Sequence, residues 1–323
     1  MSDPILQIND LCVSLRQHGR KINVLDHVTL DVPAGGAEGL VGESGSGKSM
    51  TLRSVIGLLP KNAQVDSGEI IFDGDNLLAD PRKLRSIRGT GISMIFQEPA
   101  VALNPIMRVG EQITDGLQEH FGLDSRQARN QAIELMGQVG IVDPEHRVDA
   151  YPFELSGGMR QRVMIASAIA CKPKLILCDE PTTALDVTVQ EQVIDLLTSL
   201  RREMGIALLY VTHDMAVVAN ICETVTVLYS GQVMERGSVH DVFAHPDHPY
   251  TAALLHSTPL IDGPAKRLEP IPGTAPLLSE RPDGCPFAPR CSYATSACTG
   301  IVHPVRIGHS RFISCTHPLD KEA

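Results

Sequence analysis

Short apolar runs punctuate the first 240 residues of this 323-residue chain. Residues 37–42, 92–96, 175–178 and 206–212 are near-continuous hydrophobic stretches bounded by turn residues. That pattern suits strands buried on both faces of a parallel sheet. Residues 5–15, 24–32 and 68–73 read as shorter antiparallel strands. Between the runs, residues 187–204 place Val189, Val193, Leu196, Leu197 and Leu200 at helical spacing. Alternation of this kind predicts an α/β fold. Residues 107–140 break it, because 109–121 and 126–139 read as two helices with no strand between them. They are expected to form a helical insertion into the α/β core.

Past residue 245 the texture changes. Twelve of the 22 prolines and four of the eight cysteines fall in the last 79 residues. Helix and sheet interiors tolerate proline badly, so this tail is expected to be held by something other than regular structure. Composition narrows the classes further. With 43% hydrophobic and 20% charged residues, the chain can bury a sizeable core. Its 28 Lys+Arg against 38 Asp+Glu leave a net charge of −10, which argues against a protein that coats nucleic acid. Aromatics are only 4%, without tryptophan, so base-stacking platforms and membrane-interface belts are both poorly supplied. No run approaches ~18 apolar residues, and Asp3, Asp10, Arg16 and Arg20 interrupt the first twenty. The expectation is a soluble cytoplasmic protein with neither membrane span nor secretory leader.

The strongest chemical signal is Gly42-Glu43-Ser44-Gly45-Ser46-Gly47-Lys48-Ser49, which matches G-x-x-x-x-G-K-S/T. It follows an apolar run and precedes a helical stretch over 50–59, so the strand–loop–helix context is present. Glycines let backbone N–H groups wrap an anion, and the helix N-terminus adds a favourable dipole. Lys48 would reach the β- and γ-phosphates, and the Ser49 hydroxyl would bind Mg²⁺. A second apolar run ends in Asp179 and Glu180. Asp179 would hold Mg²⁺ through its shell, and Glu180 would polarise the attacking water.

Between these lies Leu155-Ser156-Gly157-Gly158-Met159-Arg160-Gln161, followed by a helix-like stretch over 162–170. It resembles the signature sequence of ABC-type ATPases. Gln97, after 92–96, resembles that family's Q-loop glutamine; Ala184-Leu185-Asp186 resembles its D-loop, and Val211-Thr212-His213-Asp214 its switch-histidine strand. Six elements stand in order between Gly42 and Asp214, and the resemblance covers roughly residues 4–238. The resemblance implies an α/β P-loop NTPase fold of the ABC type, with a RecA-like core, an antiparallel β subdomain and a helical subdomain over about 98–165. It implies a nucleotide-binding domain over 1–240 that hydrolyses ATP with Mg²⁺. The nucleotide would contact Gly42 to Met50, Gln97 and Asp179, with Ser49, Gln97 and Asp179 around the metal. Glu180, His213, Gln97 and Lys48 would be catalytic. Ser156, Gly157, Gly158 and Gln161 would complete the site of a second ATPase chain packed head to tail, with Asp186 in the D-loop. One feature departs from the family. Its members usually stack an aromatic residue upstream of the phosphate loop on adenine, whereas the first aromatic residue here is Phe72; Ile22 and His18 lie nearest the usual spacing.

Cys12, Cys171, Cys178 and Cys222 fall in apolar stretches and read as buried small hydrophobes. Cys285, Cys291, Cys298 and Cys315, spaced x5, x6 and x16, suggest a metal centre in place of a core. Zinc favours tight C-x₂₋₄-C pairs, which are absent, although His303, His309 and His317 offer substitutes. Spaced thiolates also suit an iron–sulfur cluster. The run from Asp283 to Cys291, with Cys298, Cys315 and the earlier His248-Pro249-Tyr250-Thr251, resembles the tail of ATPase subunits in dipeptide and oligopeptide importers. That resemblance implies a 4Fe–4S cluster on the four cysteines, within an extension over 241–323. It also implies pairing with a different ATPase chain, two membrane permease subunits, and an extracytoplasmic solute-binding protein contacted indirectly. The place of action would be the cytoplasmic face of the membrane. An importer ATPase for nickel or another small solute is the alternative reading, and a soluble non-transport ABC ATPase a lesser one.

Overall fold

The N-terminal alternation resolves as long antiparallel strands in the computed structural model, which describes residues 3–183, 185–257, 270–307 and 311–319. In chain order come β1 (Pro4–Gln17), β2 (Arg20–Pro33), β3 (Ala37–Val41), α1 (Lys48–Ile56), β4 (Ala63–Phe72) and β5 (Asp75–Asn76). Then follow α2 (Pro81–Ile87), β6 (Ile92–Ile95), α3 (Pro99–Ala102), α4 (Val109–Phe121), α5 (Ser125–Gln138), α6 (Pro144–Arg147) and α7 (Gly157–Ile169). The chain continues through β7 (Leu175–Asp179), α8 (Val187–Met204), β8 (Ala207–Thr212), α9 (Met215–Ile221), β9 (Thr224–Tyr229) and β10 (Gln232–Ser238). It closes with α10 (Val239–Ala244), α11 (Pro249–Ser257), β11 (Val305–Ile307) and β12 (Arg311–Ile313).

These elements form two compact units, residues 1–80 with 210–323, and residues 81–209. The units do not divide at residue 240. In the first, β1, β2, β4 and β5 make an antiparallel sheet of order β2-β1-β4-β5. Leu6, Ile8, Leu11, Val13, Leu25, Leu30 and Val32 on its inner face are fully buried. The same unit pairs β3 with β9 in parallel, Gly39 opposite Val225, and β9 with β10 antiparallel. All five residues of β3 are buried, as its unbroken apolar pattern requires.

The tail is more regular than its prolines suggest. β12 pairs with β10, Glu235 opposite Ile313, and β11 pairs with β12. Pro249 opens α11, where a missing N–H costs nothing. Proline-rich residues 270–304 hold only short 3₁₀ turns among the described residues, and there the expectation of irregular structure stands.

In the second unit β6 and β7 are parallel, Ile92 opposite Leu175 and Ile95 opposite Cys178. The insertion is helical as expected. Asp124 caps α5 through Arg126 N (2.9 Å) and Gln127 N (2.8 Å). Ile113 and Leu117 of α4 and Ala128 and Ala132 of α5 are buried. Two helices start earlier than their apolar residues indicate, α1 at Lys48 and α7 at Gly157, because α1 opens on lysine and serine and α7 on two glycines, none of which carries a hydrophobic signal.

Candidate functional site

The phosphate loop leaves β3 at Gly42 and enters α1 at Lys48. Its path depends on two close approaches. A Cβ on Gly42 (φ +155°) would stand 2.0 Å from the Leu228 carbonyl oxygen, and one on Gly47 (φ +108°) 2.7 Å from Leu25 Cδ2. Neither can carry a side chain without moving backbone or core. The Lys48 ammonium curls over the loop and donates to the carbonyls of Gly42 (2.8 Å) and Glu43 (3.1 Å). Ser46 Oγ is buried within the loop and has no hydrogen-bond partner. Gly45 opens into free space. Ser49 and Met50 lie in the first turn of α1, and His213 is exposed just after β8. A lysine amine and backbone cradle at a helix N-terminus suit a polyphosphate. His18 occupies the exposed β1–β2 turn at φ +50°, and Ile22 pairs with Leu15.

The tail holds this loop in a way no motif announces. Arg290, one residue before Cys291, sends both terminal nitrogens to the Glu43 carboxylate, Nη1 to Oε2 at 2.6 Å and Nη2 to Oε1 at 3.1 Å. Nη1 also donates to the Tyr229 hydroxyl (3.1 Å), and Nε to the Pro272 carbonyl (2.8 Å). Burial opposes the guanidinium charge, but Glu43 more than offsets it, so the Arg290 pKa is raised above its ordinary value. The Glu43 N–H donates to Tyr250 Oη at 2.9 Å. Tyr229, Tyr250 and Phe287 pack edge-on and tilted at 4.5–5.4 Å between centroids. The sequence clue was slight: a lone arginine in a loop, 247 residues from its partner.

In the second unit, register brings Gln97 to the candidate base, Glu180. Gln97 follows β6 and Glu180 follows β7, and since those strands are parallel neighbours their C-terminal ends adjoin. Gln97 Nε2 donates to Glu180 Oε2 (3.3 Å), as does Thr183 Oγ1 (3.0 Å). Glu180 sits at φ +45°, a left-handed conformation uncommon outside glycine. Asp179 is buried at the strand end.

Ser156 is the N-cap of α7, its hydroxyl accepting from Met159 N at 3.3 Å. Gly157 faces open space, while a Cβ on Gly158 would meet Val189 Cγ1 at 3.1 Å. Gln161 departs from expectation. It is wholly buried rather than offered to a partner chain, and neither amide atom has a hydrogen-bond partner. The helix period explains this, since Gln161 shares the inward stripe with Met164, Ile165 and Ala168. It lines a cavity of about 190 Å³ with Gln97, Gly157 and Arg160. Asp186 caps α8 through Val189 N (3.0 Å); Ala184 lies outside the described residues.

The four tail cysteines line one cavity, beside His248 and His317. Gly284 permits the fold of the loop, because a Cβ there would stand 2.1 Å from the Cys298 carbonyl oxygen. Cys285 N donates to that same carbonyl at 2.9 Å. The His317 N–H reaches Cys315 Sγ at 3.3 Å. Burial pushes the Cys315 thiol up to about 11, and the charges of Cys285, Cys291 and Cys298 add to that rise. His317 Nε2 bonds Thr295 Oγ1 (2.6 Å), and His303 is exposed. His309 lies outside the described residues. Of the other cysteines, Cys171, Cys178 and Cys222 are buried as expected, but Cys12 is only partly so. The β1–β2 register shifts between Leu11 and Val13, around this residue.

No helix among the described residues is long and apolar enough to cross a membrane. The ABC transporter family model matches residues 25–183, and the model for the oligopeptide/dipeptide transporter C-terminal region matches 234–298. The oligopeptide transport ATP-binding protein OppD of Haemophilus influenzae is 43% identical over 99% of both chains. OppD of Salmonella typhimurium is 42% identical over 98% of this chain and 95% of its own. Among solved structures, the dimeric ATP-binding cassette MJ0796 bound to ADP and Pi is 28% identical with a TM-score of 0.65, covering 72% of this chain and 98% of that one. CbiO1 from Clostridium perfringens is likewise 28% identical, with a TM-score of 0.64, over 75% and 92%.

Proposed function

The chain belongs to the ATP-binding subunits of ABC peptide importers, and from that premise we propose how its residues divide the work. The subunit hydrolyses ATP and drives peptide import through membrane permeases, and it acts as a dimer of ATPase domains. We propose that Lys48, Ser49, Gln97, Asp179, Glu180 and His213 serve the chain's own ATP. Ser156, Gly157 and Gly158 serve the nucleotide of the partner.

The observation that carries this reading is the Gln97–Glu180 hydrogen bond at the ends of β6 and β7. Glu180 takes a proton from the water that attacks the γ-phosphorus, the bond to the ADP oxygen breaks, and Lys48 offsets charge on the phosphate oxygens. Oxygen donors from Ser49, Asp179 and Gln97 suit Mg²⁺, which when bound neutralises charge on the β- and γ-phosphates. His213 orients the γ-phosphate. Gln97, held by Glu180, links the site to whatever docks on the helical insertion.

Ser156 tests the shared site. Ser156→Arg is expected to abolish turnover in the dimer and leave ATP binding by the free monomer unchanged, measured by equilibrium nucleotide binding beside phosphate release. Loss of monomer binding would sink the shared-site reading. The peptide systems' pairing of two different ATPase chains supports a heterodimer, with two permeases, an extracytoplasmic solute-binding protein reached through them, and action at the cytoplasmic face.

The tail supports a 4Fe–4S cluster on Cys285, Cys291, Cys298 and Cys315. The four thiols line one cavity. The His317 N–H donates to Cys315 Sγ at 3.3 Å, the kind of contact that stabilises a cluster-bound thiolate. The cluster would replace a hydrophobic core and brace the loop that carries Arg290. Protein purified without air is expected to hold about four iron and four sulfide per chain, lost in Cys291→Ser. One zinc without sulfide would overturn the assignment.

A further inference from the structure

We propose that Cys12, Asp26 and His27 form a site for a divalent transition metal, Zn²⁺ foremost, on the β1–β2 hairpin. The ligand atoms of these three residues lie within 4.8 Å of one another. His27 Nε2 is 3.9 Å from Asp26 Oδ1. A thiol, an imidazole and a carboxylate with one position left open is a donor set of catalytic-type zinc, and a poor one for Mg²⁺ or Ca²⁺, which favour oxygen alone.

The surroundings are arranged as those of a metal site. His27 Nδ1 lies 2.6 Å from Asp10 Oδ1. A carboxylate only accepts, so Nδ1 carries a proton and Nε2 is the ring nitrogen left on the side of Cys12 and Asp26. A carboxylate behind a ligating histidine fixes the ring's tautomer and orientation. Asp26 is oriented in the same way. Its Oδ2 takes Arg281 Nη2 (2.8 Å) and Gln232 Nε2 (2.7 Å), which leaves Oδ1 toward the imidazole. The His27 N–H donates to Cys12 Sγ at 3.3 Å, which fixes the sulfur beside the imidazole.

Backbone distortion builds the cluster. The β1–β2 register shifts on both sides of Leu11–Val28, and both Asp10 (φ +53°) and His27 (φ +55°) adopt left-handed conformations. Regular pairing would send neighbouring side chains to opposite faces; the bulge re-aims them to one. The site is separate from the nucleotide chemistry. Leu25, the neighbour of Asp26, points the other way and packs under Gly47 of the phosphate loop.

The test follows alkylation of Cys12 in the full-length protein, with and without Zn²⁺, by peptide mapping that resolves each cysteine. Cys12 is then read apart from the four tail thiols. With zinc at tenfold its dissociation constant, the free fraction and the Cys12 rate should both fall about tenfold. His27→Asn should abolish the protection. The side chain is exposed and asparagine tolerates positive φ, so the fold survives. Asp10→Asn should weaken zinc binding by about 10–100-fold in competition with a chromophoric chelator. A Cys12 rate indifferent to zinc would overturn the proposal. So would protection that persists undiminished in His27→Asn.

Discussion

Replacing Glu180 with glutamine is expected to lower ATP turnover by about 10²–10⁴-fold while nucleotide binding is retained. Glutamine keeps the shape and the hydrogen-bonding reach of the side chain. Thr183 Oγ1, 3.0 Å from Glu180 Oε2, can still donate to an amide oxygen. The substitution demands no new backbone conformation, because φ at +45° is already imposed on a residue with a Cβ. What disappears is the proton acceptor. Without it the attacking water must lose its proton to bulk solvent, and ATP should accumulate unhydrolysed in the closed dimer. Steady-state phosphate release, nucleotide binding and gel filtration with ATP would separate these effects. Turnover within about threefold of the parent would mean that general-base catalysis, whose typical contribution is far larger, does not reside in Glu180.

Arg290→Met should weaken ATP binding by about tenfold and lower stability by about 2–3 kcal/mol, under the 3–5 kcal/mol typical of a fully buried pair. The discount reflects exposure: the Arg290 side chain is 6% exposed, but Glu43 is 26% exposed and partly screened. The affinity effect is electrostatic. Arg290 neutralises the one carboxylate within the phosphate loop, and its loss leaves an unpaired negative charge beside the place for a triphosphate. At about 8 Å and an effective dielectric near 20, two unit charges repel by about 2 kcal/mol before salt screening. Arg290→Lys should fall between, since an ammonium keeps the charge but not the two-pronged geometry. The double variant Arg290→Met/Glu43→Gln should recover most of the affinity and little of the stability. Unchanged affinity in the single variant, or none recovered in the double, would remove the electrostatic account. Denaturant midpoints and nucleotide titrations together make the measurement.

Contiguous features were legible before any fold was known. The phosphate loop, the strand ending in Asp179 and Glu180, the Ser156 cap and the paired helices of the insertion each lie within a few residues of sequence. Backbone geometry and hydrophobic period act over that range, so the phosphate loop and the paired helices could be read from spacing, and the Ser156 element from its resemblance to the ABC signature sequence. Tertiary structure decided what distant segments do to one another. Gln97 meets Glu180 across 83 residues because β6 and β7 are parallel neighbours. Arg290 meets Glu43 across 247 because the cysteine loop folds back beside the phosphate loop. Gln161, in a motif whose resemblance implies contact with a second chain, turns inward with the helix period. Cys12, one more cysteine in an apolar strand, gains Asp26 and His27 as neighbours through a bulge that no alternation pattern encodes. Side-chain chemistry sets which groups can interact, but strand order and register set which of them meet, and both are sums over contacts far apart in the chain.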